Sequence, residues 1–262
     1  MKIVFHENFL QSDYTSDGAS VEGRMEVIMK ALKSEKNYEV VPPSPASYED
    51  LLLAHSKNHI DGIMQDNKLF EMAKLAAGAA IVAANIAMGE GPVFACIRPP
   101  GHHASKDSTW GYCAFCNMGI ALLKLKEKNL INSAFVLDFD AHTGDGTINV
   151  LSEWKEAIIL NPMAENSTDY LEIIEDTTAG IKYVDIVAVS AGFDTYKKDL
   201  GKKLTTFDFY KIGRILKEFT KRMGHKNRFA ILEGGYYLPD LGKNVLAFCQ
   251  GFDLSGIELE GN

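Results

Sequence analysis

The sequence predicts an α/β fold in which a mainly parallel sheet is covered by helices on both faces. Seven short apolar runs alternate with longer segments patterned at helical spacing. Several runs are nearly unbroken Val, Ile, Ala and Phe, the composition of strands buried on both faces. Four of them end in clusters of Asp, His, Glu and Gly, where open parallel sheets place their ligands.

In chain order, residues 2–5 and 38–41 read as the first two strands. The Pro-rich patch 41–47 is a connector, because strand and helix patterns resume soon after it. Residues 72–88, rich in Ala and Ile, predict a helix, and 93–97 a buried strand. Residues 118–128 predict a helix ending in lysines, followed by strands at 134–138 and 157–160. The polar stretch 161–169 reads as loop. A strand at 186–190 precedes a helix at 207–223, where Phe207, Tyr210, Ile212, Ile215, Leu216 and Phe219 share one face. A strand at 229–232 and a helix at 240–248 complete the pattern. Without an internal repeat, low-complexity tract or charge block, residues 1–262 are expected to form one domain.

A chain of 262 residues can bury a sizeable core. Lys plus Arg is 27 against 35 Asp plus Glu, a net charge of -8, which argues against a nucleic-acid partner. Hydrophobic residues at 46% and charged residues at 24% are those of a folded globular protein. Four cysteines do not make a disulfide scaffold. The N-terminus lacks the apolar run of a signal peptide. The longest weakly apolar stretch, 75–88, has 14 residues and contains Asn85, short of the roughly 20 a membrane span needs. A soluble, cytoplasmic protein with no membrane partner is expected.

The chemistry gathers at four strand ends. They run into Arg98-Pro-Pro-Gly-His102-His103-Ala104, Asp138-Phe-Asp140-Ala-His142-Thr-Gly-Asp145-Gly146, Ala191-Gly-Phe-Asp194 and Glu233-Gly-Gly-Tyr236. Asp138, Asp140 and His142 stand at i, i+2, i+4 and share a face in extended chain. Two like charges there repel unless they hold a cation, a proton or separate partners. One carboxylate and one imidazole from this segment, with Asp194 from another strand end, make an open three-ligand site suited to zinc or iron. Taken singly, each Asp is more readily a helix cap or an acceptor for backbone amides; four such groups in eight residues weaken that reading. Adjacent His102 and His103 point to different sides in extended chain and read as acid/base groups, each oriented by a carboxylate, with Asp138 and Asp145 available. Cys113-Ala-Phe-Cys116 lacks a second pair and reads as structural. His6, His55, His59 and His225 read as ordinary structural histidines. Trp110 and Tyr112 flank Gly111 and suit either a pocket wall or the core.

These segments, together with Gly111-Tyr-Cys113 and Asn117, stand in the order seen in the histone deacetylase superfamily. The chain resembles that family's prokaryotic acetylpolyamine amidohydrolase and deacetylase-like branch from residue 1 to about 252. The resemblance implies an arginase-like three-layer fold and a zinc-dependent hydrolase of acylated amines such as acetyllysine or acetylpolyamines, with iron or cobalt as alternative metals. It implies that Asp140, His142 and Asp194 bind the metal, that His102 pairs with Asp138 and His103 with Asp145, and that Tyr236 hydrogen-bonds the oxyanion. By the same resemblance Gly111 would offer its carbonyl to the substrate and Tyr112 would line the acyl tunnel; a potassium ion beside Asp138 and Asp140 is usual in the family and is allowed for here.

The chain departs from the family pattern in three places. Only 48 residues separate Asp145 from Asp194, which trims loops of the pocket rim. The N-terminal rim motif is replaced by Val21-Glu-Gly-Arg-Met-Glu26, and the helix at 72–88 runs directly into Gly91-Pro92 without the entrance-narrowing, dimer-forming insertion. An open rim tolerant of varied amines is expected, unless that helix, the 161–169 loop or a partner closes it; the oligomeric state is left open. A two-manganese ureohydrolase, suggested by Asp140-Ala-His142-Thr143, is rejected because Gly144 and Tyr196 stand where further carboxylates are needed. A non-catalytic acyl-binding module is disfavoured by the complete set of ligands, imidazoles and Tyr236.

Overall fold

The computed structural model describes residues 1–253. All seven expected strands form, as β1 (Lys2–Val4), β2 (Glu39–Val41), β3 (Val93–Ala95), β4 (Ala134–Asp138), β5 (Ala157–Leu160), β6 (Ile186–Ala191) and β7 (Arg228–Leu232). They make one wholly parallel sheet of order β2-β1-β3-β7-β6-β4-β5. Every residue of β3, β4, β6 and β7 is buried, which explains their unbroken apolar runs. The edge strands β2 and β5 are partly exposed.

Two groups of helices supply the cover. Helix α1 (Arg24–Leu32) packs on α9 (Leu238–Phe252), α9 on α8 (Thr206–Arg222), and α8 on α7 (Ser167–Gly180). Helix α4 (Asn67–Glu90) packs on α5 (Asn117–Glu127) and on β3 and β7, with α2 (Tyr48–Leu52), α3 (Lys57–Ile63) and α6 (Asp145–Leu151) beside them.

The helix at 72–88 is longer than its apolar core, because Asp66 caps the amides of Lys68 and Leu69 and starts α4 at Asn67. At 24 residues and mean hydropathy 1.5, α4 is long and apolar enough to cross a membrane, which corrects the estimate from 75–88. In the fold, 61% of its apolar window is buried inside the protein. The stretch 161–169 is not all loop: Asn166 caps the amide of Asp169 and opens α7. The unforeseen helices α2 and α3 are five and seven residues long and rest on Ser47 and Ser56 caps.

Beneath the strand ends, Phe139 packs edge-on against Phe193 at 5.5 Å and also against Phe248 at 5.3 Å. These rings fix their sequence neighbours: Phe139 lies between Asp138 and Asp140, and Phe193 precedes Asp194. With Phe139 committed to the core, the flanking aspartates turn to the opposite side.

Candidate active site

The four polar strand ends belong to β3, β7, β6 and β4, four consecutive neighbours in the sheet, so they lie side by side. Asp140, His142 and Asp194 come together there, with ligand atoms within 4.8 Å of one another. His142 Nδ1 is 3.0 Å from Asp140 Oδ1 and 3.1 Å from Asp194 Oδ2. One imidazole hydrogen cannot serve both carboxylates; it goes to Asp140, and the buried Asp194 Oδ2 has no hydrogen-bond donor despite that ion-pair distance. The other oxygens are held by backbone amides: Ala141 N donates to Asp194 Oδ1 at 2.9 Å and Gly234 N to Asp140 Oδ2 at 2.9 Å. A Cβ at Gly192 or Gly234 would lie 2.1 or 2.5 Å from Asp140 Oδ2, so these positions admit no larger residue without displacing the carboxylate.

The hydrogen bond to Asp140, then the nearby Asp194 carboxylate, raise the pKa of His142 to about 10, against some opposing burial. Burial, then the charge of Asp140, lifts Asp194 to about 6. Two buried carboxylates, one imidazole and an orphaned carboxylate oxygen fit a divalent cation.

His102 and His103 each find the expected carboxylate. His102 Nδ1 is 3.0 Å from Asp138 Oδ2, and His103 Nδ1 is 2.6 Å from Asp145 Oδ1. Since carboxylates only accept, both rings carry the proton on Nδ1. The rings do not diverge as extended chain implies: the segment turns, and their centroids are 4.0 Å apart. The two pairs are also unequal. Burial opposes charge on His102, but Asp140 and Asp138 outweigh it and raise its pKa well above 6.5. Burial, then the neighbouring His102, lowers the pKa of His103. His103 is therefore the more readily neutral imidazole of the two. Burial raises Asp138, against the opposing charge of His102, whereas Asp145 is lowered by bonds from His103 and Trp110 that overcome its burial.

The pocket over these groups has a volume of about 280 Å³, and Pro100, Gly111, Tyr112, Leu200 and Tyr236 are among its walls. Gly111 adopts φ 60°, where a Cβ would lie 2.3 Å from His103 Cδ2. Tyr112 follows at φ 68°, a conformation costly for a non-glycine residue and frequent at functional sites. Tyr236 meets Tyr112 edge-on at 6.1 Å. Burial raises its phenol well above 10, leaving it a neutral donor. Larger hollows, such as the 470 Å³ groove between α7 and α8, lack this chemistry.

The spacing of the motifs did not disclose three contributors. Glu233, fully buried, accepts from the Gly101 and His102 amides at 2.8 and 3.3 Å and from Ser190 Oγ at 3.1 Å, tying three strand ends together. Arg24 is also fully buried and donates through Nε to Gly235 O at 2.9 Å, with its guanidinium 5.8 Å from the Tyr236 ring. Asp199 accepts from the amides of Tyr236 and Tyr237 at 2.7 Å each. A charged residue ending an apolar strand was a visible signal for Glu233; Arg24 and Asp199 had none.

Other sequence candidates take structural places. Cys113 and Cys116 are buried, burial pushes Cys116 up to about 12, and its sulfur caps α5 by accepting from Gly119 N. His55 Nε2 accepts from Cys116 N at 2.8 Å while Nδ1 donates to Ser105 O at 2.9 Å; His59 bonds to Ala114 O at 2.9 Å. His6 caps a short 3-10 turn, and His225 bonds to Val184 O. Gly144 N donates to Asn161, and Tyr196 donates to Asp240, so neither supplies a second metal site. Neither α4 nor residues 161–169 line the pocket.

Comparison with known proteins identifies the family and the fold. The histone deacetylase domain matches residues 19–170 and 155–252. The "Probable deacetylase" of Methanothermobacter thermautotrophicus is 26% identical, over 88% of this chain and 84% of its own length. The acetylpolyamine amidohydrolase of Mycoplana ramosa is 28% identical, over 70% of this chain and 62% of its own. The crystal structure of the HDA15 HD domain superposes with a TM-score of 0.82 at 19% identity, covering 96% of this chain and 90% of that one, which shows the shared fold. The chain belongs to the histone deacetylase domain family and is an enzyme of the amidohydrolase class.

Proposed function

We propose that the protein is a zinc-dependent hydrolase that removes acetyl or short acyl groups from acylated amines, among them acetyllysine and acetylpolyamines. The supporting observation is the convergence of the Asp140–His142–Asp194 cluster, the His103 imidazole and the Tyr236 phenol on one pocket. Asp140, His142 and Asp194 would hold the metal, which supplies Lewis acidity toward an amide carbonyl and a water molecule. Zinc suits these donors, as do ferrous iron and cobalt. In this reading a potassium ion accompanies Asp138 and Asp140.

His103 carries its proton on Nδ1 toward Asp145, so its Nε2 lone pair is free to take a proton from the attacking water. The resulting imidazolium returns that proton to the departing amine. His102, paired through Nδ1 with Asp138 and packed beside His103, completes the imidazole pair. Tyr236 donates to the oxyanion as the carbonyl becomes tetrahedral. The Gly111 carbonyl accepts from the substrate amide, and Tyr112 walls the acyl group.

Exposed Trp110, Tyr112 and Leu200 at the mouth support an open rim with broad tolerance for the amine. Specificity far from the acyl group needs contacts at that distance, and a short rim supplies few. The reading places the enzyme in the cytoplasm, acting on small or peptide substrates without nucleic-acid or membrane partners. The test is acetate release from an acetylated polyamine and an acetyllysine peptide, assayed side by side with zinc-loaded and chelated protein. Zinc-dependent release from both, with kcat/KM within about two orders of magnitude, is expected. No zinc-dependent release from any acylated amine refutes the reading; activity on polyamines alone refutes the open rim.

A further inference from the structure

Trp110 is 55% exposed, so the fold gains little by holding an indole there. Its position is nevertheless defined by the two members of one catalytic pair. The indole lies on the His103 imidazole, with centroids 3.7 Å apart and planes inclined by 30°. Its Nε1–H donates to Asp145 Oδ2 at 3.0 Å, while Asp145 Oδ1 receives the His103 Nδ1–H at 2.6 Å. His102 packs beside His103 at 4.0 Å, so neighbouring rings crowd the imidazole from two directions.

We infer that Trp110 is a positioning residue that clamps the His103–Asp145 pair, fixing the carboxylate through its N–H and the imidazole through its ring. The inference rests on the hydrolase reading above for the role of His103. The physical need lies in Asp145. Its side chain is 50% exposed and occupies the first residue of α6, where a carboxylate has room to turn toward water. With Oδ2 held by the indole, Oδ1 stays directed at His103, and the ring stays in the Nδ1–H tautomer that leaves Nε2 basic. The indole also shields one side of that hydrogen bond from water, which strengthens it.

Two substitutions separate the parts. Trp110→Phe keeps an aromatic face on His103 and deletes the N–H; Trp110→Leu removes both. In the zinc-loaded enzyme, Trp110→Phe lowers kcat about tenfold with KM within about twofold, and Trp110→Leu lowers it about threefold further. A second readout needs no turnover: the His103 Nδ1 proton resonance, identified by its loss in His103→Ala, exchanges with water faster in Trp110→Phe than in the wild type. Wild-type kcat with an unchanged resonance overturns the clamp, and so does a loss confined to KM, which would make Trp110 a wall for substrate. If the wild type releases no acetate, the hydrolase reading fails, and the exchange rates still decide whether Trp110 holds the pair.

Discussion

Replacing Tyr236 by Phe removes one oxygen and leaves its surroundings intact. The ring remains edge-on to Tyr112 at 6.1 Å and 5.8 Å from the Arg24 guanidinium, both contacts made by carbon atoms that phenylalanine retains. Burial keeps the native phenol protonated across any assay range, so the change deletes a neutral donor and no charge. A neutral amide carbonyl gains only about 1 kcal/mol from such a donor in the ground state. The oxyanion gains far more in a site closed to water; loss of one oxyanion donor costs about 3–4 kcal/mol, or about 10²- to 10³-fold. Tyr236→Phe is therefore expected to lower kcat about 10²- to 10³-fold, with KM within about threefold and an unchanged melting temperature. Steady-state acetate release by the zinc-loaded variant measures both constants. A fall in kcat of less than about tenfold, or a loss carried by KM, would refute the assignment of the hydroxyl to the transition state.

Asp194→Ala deletes the carboxylate whose Oδ2 has no hydrogen-bond donor, and metal analysis is expected to show loss of the stoichiometric ion together with activity; a variant that retains both contradicts the ligand set. His55 gives a pH signature. Burial, then neighbouring His59, depresses its pKa to about 4, so below pH 6.5 the unfolded chain takes up a proton that the folded one refuses. Stability then falls as pH drops from 6.5 to 4, by about 3 kcal/mol from this residue, and the slope vanishes again below the folded value. His55→Gln can accept from Cys116 N and donate to Ser105 O without titrating, so urea unfolding at pH 7, 6 and 5 should show a flatter dependence; equal slopes in variant and wild type would dismiss His55 as the source.

The strands were legible because the sheet is covered on both faces, so β4 and β6 carry continuous apolar runs that periodicity detects directly. The candidate metal cluster was legible for a local reason: alternation along one chain segment puts Asp138, Asp140 and His142 on the same side, and Phe139 between the two aspartates faces the core. Helix α1 left a trace that went unread, since Met25, Ile28, Met29 and Leu32 repeat at helical spacing and are all buried. Arg24 at its start could not be read, because a fully buried arginine is explained only by the Gly235 and Glu233 carbonyls it meets across the fold. The inequality of His102 and His103 was likewise hidden. Neighbours in sequence differ here because Asp140, brought in from another strand, stands 3.8 Å from His102 Nε2. Trp110 and Asp145 are 35 residues apart, and nothing local to either indicates the other.

The order of the sheet grades how far each part of the protein can change without altering the reaction. The strands that lead into the candidate site occupy four adjacent places, spanning three gaps of about 4.8 Å, and a shift of register in any of them moves a side chain of that site. Beyond them, β2 and β1 on one side and β5 on the other lead into none of Asp140, His142, Asp194, His102 and His103. Glu39 and Val40 of β2 and Ile158 of β5 already face outward. These borders can be recast, lengthened by another strand or paired with another chain while the centre keeps its geometry. Growth and divergence of the molecule therefore have a natural direction, outward from a centre whose four strands are constrained together.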